Sequence, residues 1–317
     1  MAAANPEYLI IGGVYKAATT SLYRYLADHP QVFPSHVKET RFFLDLDYPV
    51  PSAHRYPEGL ATFERFFSGC PEGMLRMEST PFYLYSPGSA ARIREQLGPR
   101  TRMVFVLRDP IARLYSSFGY RLQRSQTSPL TFADYVNELK LDLEQGGSPH
   151  SNQLAMGRYT AYLEHYLTEF SADKVRVVVF RDLTTDPVAT MQGLCDFAGI
   201  DGSYYAGYVF DVHNATVSYR NGAVTLASRY LDELRPALWQ VLGRLPWLHR
   251  PLRRAKRWLL KRYRSRLSNE PGMSEIDPVT MRMLTEYYRA DVQRLAQLLG
   301  RDLPWEPWLA PEEQVRS

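Results

Sequence analysis

Cysteine is scarce: Cys70 and Cys195 are the only two in 317 residues. That excludes a disulfide framework and a cysteine-based metal site, and it suits a reducing compartment. Long apolar runs are missing too. No stretch approaches the roughly 20 apolar residues of a membrane-spanning helix. Residues 1–7, Met-Ala-Ala-Ala-Asn-Pro-Glu, offer no basic n-region, and the apolar run Tyr8–Ile11 is only strand length. The expectation is a cytoplasmic protein, with or without peripheral attachment to a membrane. There is no internal repeat and no low-complexity tract. Acidic residues are absent from Arg235 to Arg266, which holds eleven Lys and Arg. The whole chain carries only +4, so the remainder is net acidic and the basicity is local.

What is present reads as a folded enzyme-sized chain. A hydrophobic content of 45% argues against disorder. Tyr8-Leu-Ile-Ile-Gly-Gly-Val14 reads as a buried parallel strand entering a glycine turn. Thr19 or Thr20 would cap a helix running to about Asp28, with Leu22 and Leu26 on one face, before His29-Pro30 stops it. Further strands are expected over 31–33, 74–78, 102–107 and 175–180. Helices are expected over 86–97, 110–123, 130–144, 157–170, 187–198 and 278–299, with an amphipathic turn at 63–67. Asp109 and Pro110 form an N-cap and first helical position. The proline- and tyrosine-rich residues 45–60 read as a surface loop. This alternation implies an α/β fold, a mostly parallel sheet with helices on both faces. One domain is expected over 1–317, with an α/β core at 8–200 and a helical C-terminal part at 201–317.

Two loops carry chemistry. In Gly12-Gly-Val-Tyr-Lys-Ala-Ala-Thr-Thr-Ser21, glycines let the backbone approach a ligand, and the following helix start offers N–H groups and a positive dipole end. Lys16 and two threonines add donors. The plain alternative is a strand–helix turn with an exposed lysine. It is not a Walker loop: Ala18 stands where a glycine would precede Lys, and the lysine comes before the turn. The dinucleotide pattern GxGxxG is absent. In the second loop, Arg108 leaves the end of an inner strand and Ser116 lies two turns into the next helix. A guanidinium fork with a hydroxyl suits a terminal phosphate monoester. The alternative is an Arg108–Asp109 ion pair with Ser116 as a packing residue.

Together these elements resemble the nucleotide signatures of sulfotransferases that use 3′-phosphoadenosine 5′-phosphosulfate (PAPS). The likeness continues through Lys38-Glu-Thr-Arg-Phe-Phe43, Gly157-Arg-Tyr-Thr-Ala-Tyr-Leu163, Val177 to Pro187 and Phe197-Ala-Gly199. It covers most of 8–200 and is nearest to the heparan-sulfate-type and bacterial members. The resemblance implies a P-loop-like three-layer α/β fold with a helical C-terminal part. Lys16, Ala17, Ala18, Thr19, Thr20 and Ser21 would hold the 5′-phosphosulfate, and Arg108 and Ser116 the 3′-phosphate. PAPS would be the donor, its bisphosphate (PAP) the product, and no metal is expected. Lys16 would stabilise the bridging oxygen as it gains charge. Glu39, in a Glu-x-x-Phe-Phe context, would be the general base, its basicity raised by burial against Phe42 and Phe43. His36 is the rival base, and His54 a weaker one. Ser79 stands where the resemblance often places an active-site lysine. Tyr159 would line the nucleotide pocket or be a core aromatic. Arg220 and Gly222 would belong to a late loop closing over the nucleotide.

The segment 235–267 is rich in Trp, Leu and Arg. It suits a membrane surface, an acidic carrier protein or an anionic substrate, or simply a solvated basic face packed through Trp258 and Leu260. No nucleic-acid partner is expected. The acceptor expected is a small-molecule, lipid-linked or carrier-bound hydroxyl. Two rivals stay open: a nucleotide-dependent kinase, which would need ATP and Mg²⁺, and a non-catalytic nucleotide- or membrane-binding protein.

Overall fold

The computed structural model describes residues 7–124, 131–210 and 276–305. The chain divides into two compact units, residues 1–214 with 276–317 and residues 215–275, and every described residue belongs to the first. Arg220, Gly222 and the basic segment 235–267 lie outside the described residues.

Five strands make one sheet: β1 (Tyr8–Gly13), β2 (Val32–Pro34), β3 (Leu75–Ser79), β4 (Arg102–Leu107) and β5 (Val175–Val179). Their order is β2-β3-β1-β4-β5 and every pairing is parallel. All six residues of β1 are buried. Alternate side chains of a strand point to opposite faces, so both faces of the sheet are covered. The chain goes from β1 to β2 and β3 on one side, then crosses to β4 on the other. The carboxyl ends of β1 and β4 therefore flank the topological switch point, where open α/β sheets bind ligands.

Nine α-helices surround this sheet among the described residues: α1 (Thr19–Ala27), α2 (Leu60–Glu64), α3 (Ser89–Leu97), α4 (Pro110–Arg124), α5 (Phe132–Glu144), α6 (Tyr159–Glu169), α7 (Phe180–Thr185), α8 (Pro187–Ala198) and α9 (Pro278–Leu299). None is long and apolar enough to cross a membrane. Most lie where the sequence puts them. Two local expectations are corrected. The N-cap of α1 is Ala18 in the left-handed region (φ 63°), not a threonine, and no side chain caps it. Phe180 opens α7 instead of closing β5; Asp182 sits in its first turn, and the hydroxyls of Thr184 and Thr185 donate to the carbonyl of Arg181. The 45–60 loop also sends one aromatic inward, Tyr48, whose hydroxyl donates to the carbonyl of His150 at 2.9 Å.

Two packing features shape the site. Phe42 and Phe43 meet Phe63 at centroid distances of 5.3 and 4.7 Å, all fully buried. Each such ring stabilises the fold by about 1.5–3 kcal/mol, which pins the 36–43 segment against α2. Helix α9 docks on α6 through Thr160, whose hydroxyl donates to the Asp291 carbonyl at 3.0 Å, and on the turn before α6 through Tyr288, whose hydroxyl donates to the Leu154 carbonyl at 2.8 Å. A side chain on Gly157 would meet the Tyr288 ring at 2.6 Å, so only glycine admits this approach.

Candidate active site

The loop after β1 is tied to β4 by the Val14 N–H, which donates to the Val106 carbonyl at 2.9 Å. Lys16 and Ala18 both hold positive φ, 68° and 63°. That conformation costs an ordinary residue roughly 1–2 kcal/mol, and such strain clusters at ligand sites. It turns the chain sharply into α1, whose first turn has no acidic residue and no side-chain cap. The positive end of the helix dipole therefore meets no carboxylate from its own first turn, which suits a bound anion. In this turn Ala17, Thr19 and Ser21 are buried, while Ala18 and Thr20 are half-buried.

Across the switch point, Arg108 donates from Nη1 to the Lys16 carbonyl at 3.3 Å, and its guanidinium lies 4.8 Å from the Phe180 ring. The Lys16 ammonium sits over the rings of Tyr120 and Tyr15, at 4.6 and 5.8 Å. Burial, and after it the charge of Arg108, push Lys16 down to about 8. Asp109 accepts the Ala112 N–H at 2.8 Å and so caps α4, as its sequence position implies. Ser116 is buried two turns further on. Tyr159 is fully buried, and its hydroxyl donates to the Arg108 carbonyl at 2.9 Å. It is thus a core aromatic placed directly under Arg108. Arg113 is fully buried as well, donating to both carbonyl oxygens of Gln153. These bonds tie α4 to the segment that carries Gln153.

Glu39 lies on the neighbouring loop. Glu39 and Arg41 have positive φ, 63° and 58°, and the Glu39 N–H donates to the Ser79 carbonyl at 3.0 Å. The apolar wall that the sequence implied for the carboxylate is not there. Phe42 and Phe43 turn into the core, and Glu39 pairs instead with Lys38 at 2.8 Å and Arg41 at 3.3 Å, its side chain 28% exposed. Alternation at two left-handed residues sends neighbouring side chains in unlike directions, which a linear motif does not reveal. The two histidines point elsewhere. His36 is exposed and bonds Ser68 through Nε2, and His54 pairs with Glu58 at 2.8 Å. Neither lines the cleft described next.

That cleft, of about 900 Å³, has Glu39 and Arg41 in one wall and Tyr15, Phe82 and Tyr120 in another. The rings bracketing the Lys16 ammonium and the candidate base thus face the same space. Among the described residues no three His, Cys, Asp or Glu come together in a metal-binding group.

One residue escaped the motif reading. Glu78, at the end of β3, is fully buried. Its Oε1 accepts the N–H and hydroxyl of Thr40, both at 3.0 Å, and the Thr80 hydroxyl at 2.6 Å. Oε2 is buried with no hydrogen-bond partner. Thr80 in turn accepts the Arg41 N–H at 3.0 Å. Glu78 therefore anchors the very loop that presents Glu39. Burial pushes its carboxyl up to about 7, against the pull of these hydrogen bonds.

A family model described as "Sulfotransferase family" matches residues 36–204, just over half of the chain. The match includes Glu39, Arg108 and Ser116 but begins after the Lys16 loop. Heparan sulfate glucosamine 3-O-sulfotransferase 3B1 of Homo sapiens is 28% identical over 199 residues, covering 62% of this chain and 46% of that protein. Bifunctional heparan sulfate N-deacetylase/N-sulfotransferase 2 of Bos taurus is 27% identical over 207 residues, 62% of this chain and 22% of its own length. The chain therefore spans less than half the length of these relatives. The crystal structure of a sulfotransferase from Alicyclobacillus acidocaldarius shares the fold, with a TM-score of 0.64, 23% identity and coverage of 97% of this chain and 100% of that one. With the matched span covering just over half of the chain and the parallel sheet in agreement, the chain belongs to the sulfotransferase family.

Proposed function

We propose that the chain transfers a sulfuryl group from PAPS to an acceptor hydroxyl and releases adenosine 3′,5′-bisphosphate. The observation that carries this reading is the meeting of Lys16 and Arg108 across the β1–β4 switch point, with Glu39 on the adjoining cleft. Two cations and an uncapped helix start fit a ligand bearing phosphates at both ends of a nucleoside.

In this scheme Arg108 and Ser116 hold the 3′-phosphate, and the start of α1 with Lys16, Thr19, Thr20 and Ser21 holds the phosphosulfate. Tyr159 fixes the carbonyl of Arg108 and so its place. The acceptor oxygen forms a bond to sulfur as the bond from sulfur to the bridging oxygen breaks, and the electron pair leaves on the bisphosphate. Lys16 balances the charge that gathers on that oxygen, a contribution of about 10²–10³ in rate for comparable donors. Glu39 takes the hydroxyl proton. Lys38 and Arg41 fix the carboxylate's position while the acceptor approaches from the cleft. The acceptor is a small-molecule, lipid-linked or carrier-bound hydroxyl.

Thermal stabilisation tests the reading. Adenosine 3′,5′-bisphosphate should raise the melting temperature without added metal, ATP–Mg²⁺ should raise it less, and Arg108→Ala should abolish the bisphosphate effect. Equal stabilisation by ATP–Mg²⁺, or a bisphosphate effect that survives Arg108→Ala, overturns it.

A further inference from the structure

Lys16 stands on a backbone held from two sides. The Val14 N–H ties its loop to β4, and the Lys16 carbonyl accepts from the Arg108 guanidinium at 3.3 Å. From this fixed backbone the side chain crosses to α4, where the ammonium lies 4.6 Å from the centre of the Tyr120 ring and 5.8 Å from that of Tyr15. Tyr15 meets Tyr120 edge-on at 6.0 Å and stacks on Phe82 at 5.4 Å, so the rings brace one another.

Among the described residues no carboxylate pairs with this ammonium. The charged groups nearby are engaged elsewhere: Glu39 holds Lys38 and Arg41, Arg121 pairs with Glu138 at 2.9 Å, and Asp109 caps α4. Arg108 does bear on Lys16, and it repels.

A desolvated ammonium beside a guanidinium and without an anion is pushed toward the neutral amine. A ring face acts the other way. Its negative quadrupole attracts the cation, and does so more strongly where water is excluded. Tyr120 also follows Ser116 by four residues, one turn along the same side of α4. The helix that starts after Arg108 and carries Ser116 therefore also carries the ring on which Lys16 rests.

We propose that Tyr120 is a positioning residue for Lys16: its ring face, braced by Tyr15, holds the ammonium charged and in place beside the loop that receives the donor. This role rests on the sulfotransfer reading above, whereas the ring contact itself does not. Tyr120 touches neither donor nor acceptor in this scheme. It acts through Lys16, by setting where the positive charge stands and over what pH range it persists.

The test follows Lys16 by magnetic resonance in the full chain, with lysine labelled at Cε and the Lys16 signal identified by its loss in Lys16→Met. Binding of adenosine 3′,5′-bisphosphate is measured alongside. In the unaltered chain the Lys16 ε-protons should resonate upfield of those of other lysines, because they lie over a ring face, and should titrate at about 8. Tyr120→Leu, which keeps bulk and loses the ring, should lower that midpoint by about one pH unit. Bisphosphate affinity should then fall about fivefold at pH 8 and hardly at all at pH 6.5, where Lys16 is mostly charged in both forms. Tyr120→Phe, which keeps the ring face, should restore the midpoint and the affinity. A midpoint in Tyr120→Leu that stays or rises, as it would if the ring did no more than exclude water, overturns the proposal. So does an equal loss of affinity at both pH values, or a Phe variant as impaired as the Leu variant. Should Tyr120→Leu fail to fold, the unaltered chain decides, since ε-protons without the upfield displacement are not over the ring. A chain whose Lys16 responds to Tyr120 but which does not bind the bisphosphate overturns the sulfotransfer reading and leaves the ring contact standing.

Discussion

Thr40 gives both its backbone N–H and its hydroxyl to one oxygen of Glu78, each at 3.0 Å. The two residues flanking Thr40 are left-handed, so this double anchor fixes the turn from which Glu39 projects. Glu78→Ala would leave those donors and the Thr80 hydroxyl buried and unpaired. Such groups cost about 1–3 kcal/mol each, and urea unfolding should show a loss of at least about 3 kcal/mol. Glu78→Gln keeps the accepting oxygen and should restore most of this stability. A Gln variant as weak as Ala would argue that the carboxylate's charge, not its geometry, holds the turn.

Protonation of the same group makes stability depend on pH. The folded carboxyl titrates at about 7 against an ordinary 4.5, so the folded state keeps a proton that the unfolded chain has released. Its contribution is fully present below pH 4.5 and is lost as pH rises through about 7. The loss is on the order of 3 kcal/mol. The difference in unfolding free energy between wild type and Glu78→Gln, followed across this window, should trace it. A pH-independent difference would refute the assignment.

Lys16 titrates at about 8, with the fixed charge of Arg108 beside it. A polyanionic nucleotide favours the ammonium form, so binding should take up a proton above pH 7 and weaken as Lys16 loses its charge. Between pH 7 and 9.5 the affinity for adenosine 3′,5′-bisphosphate should fall roughly tenfold. Calorimetry in buffers of different ionisation enthalpy would detect the proton. Lys16→Met should bind more weakly at pH 7 and show a flat profile, and retention of the slope in that variant would place the titrating group elsewhere.

Tyr159 acts on Arg108 through the carbonyl it holds at 2.9 Å. Removing one such bond costs about 1 kcal/mol. Tyr159→Phe should therefore weaken bisphosphate binding severalfold, well short of the loss in Arg108→Ala. Equal losses in the two variants would mean that the hydroxyl touches the nucleotide itself.

Ala18 occupies a position usually given to glycine, at φ 63°. Ala18→Gly relieves that strain but adds backbone freedom to the unfolded chain, so stability should rise by no more than about 0.5 kcal/mol. Ala18→Val, branched at Cβ, should lower it by more than about 1 kcal/mol. Denaturant midpoints of the two variants decide the matter.

The sheet and most helices were legible because their signals are local. Ile10 and Ile11, Val104 to Val106 and the Asp109-Pro110 start declare burial and helix ends within a few residues. The Lys16 loop and Arg108 were legible through their spacing. The environment of Glu39 was not, because left-handed Glu39 and Arg41 redirect side chains without a glycine to announce it. Glu78 was hidden for another reason. A glutamate in a short strand reads as solvent-facing, and its burial is made tolerable by Thr80 together with Thr40, which lies 38 residues earlier. Arg113 is the same case, since its partner Gln153 lies 40 residues away.

The docking of α9 bears on how the protein becomes competent. Tyr288 reaches Leu154 and Asp291 reaches Thr160 across 134 and 131 residues, beside the very turn that leads into Tyr159. Closing so long a loop is entropically slow, and contacts of this range form late. During synthesis the sheet, Lys16 and Arg108 would emerge well before the helix that braces them. Refolding followed by nucleotide binding should accordingly lag behind refolding followed by secondary structure, with the last step set by the arrival of the C-terminal helix.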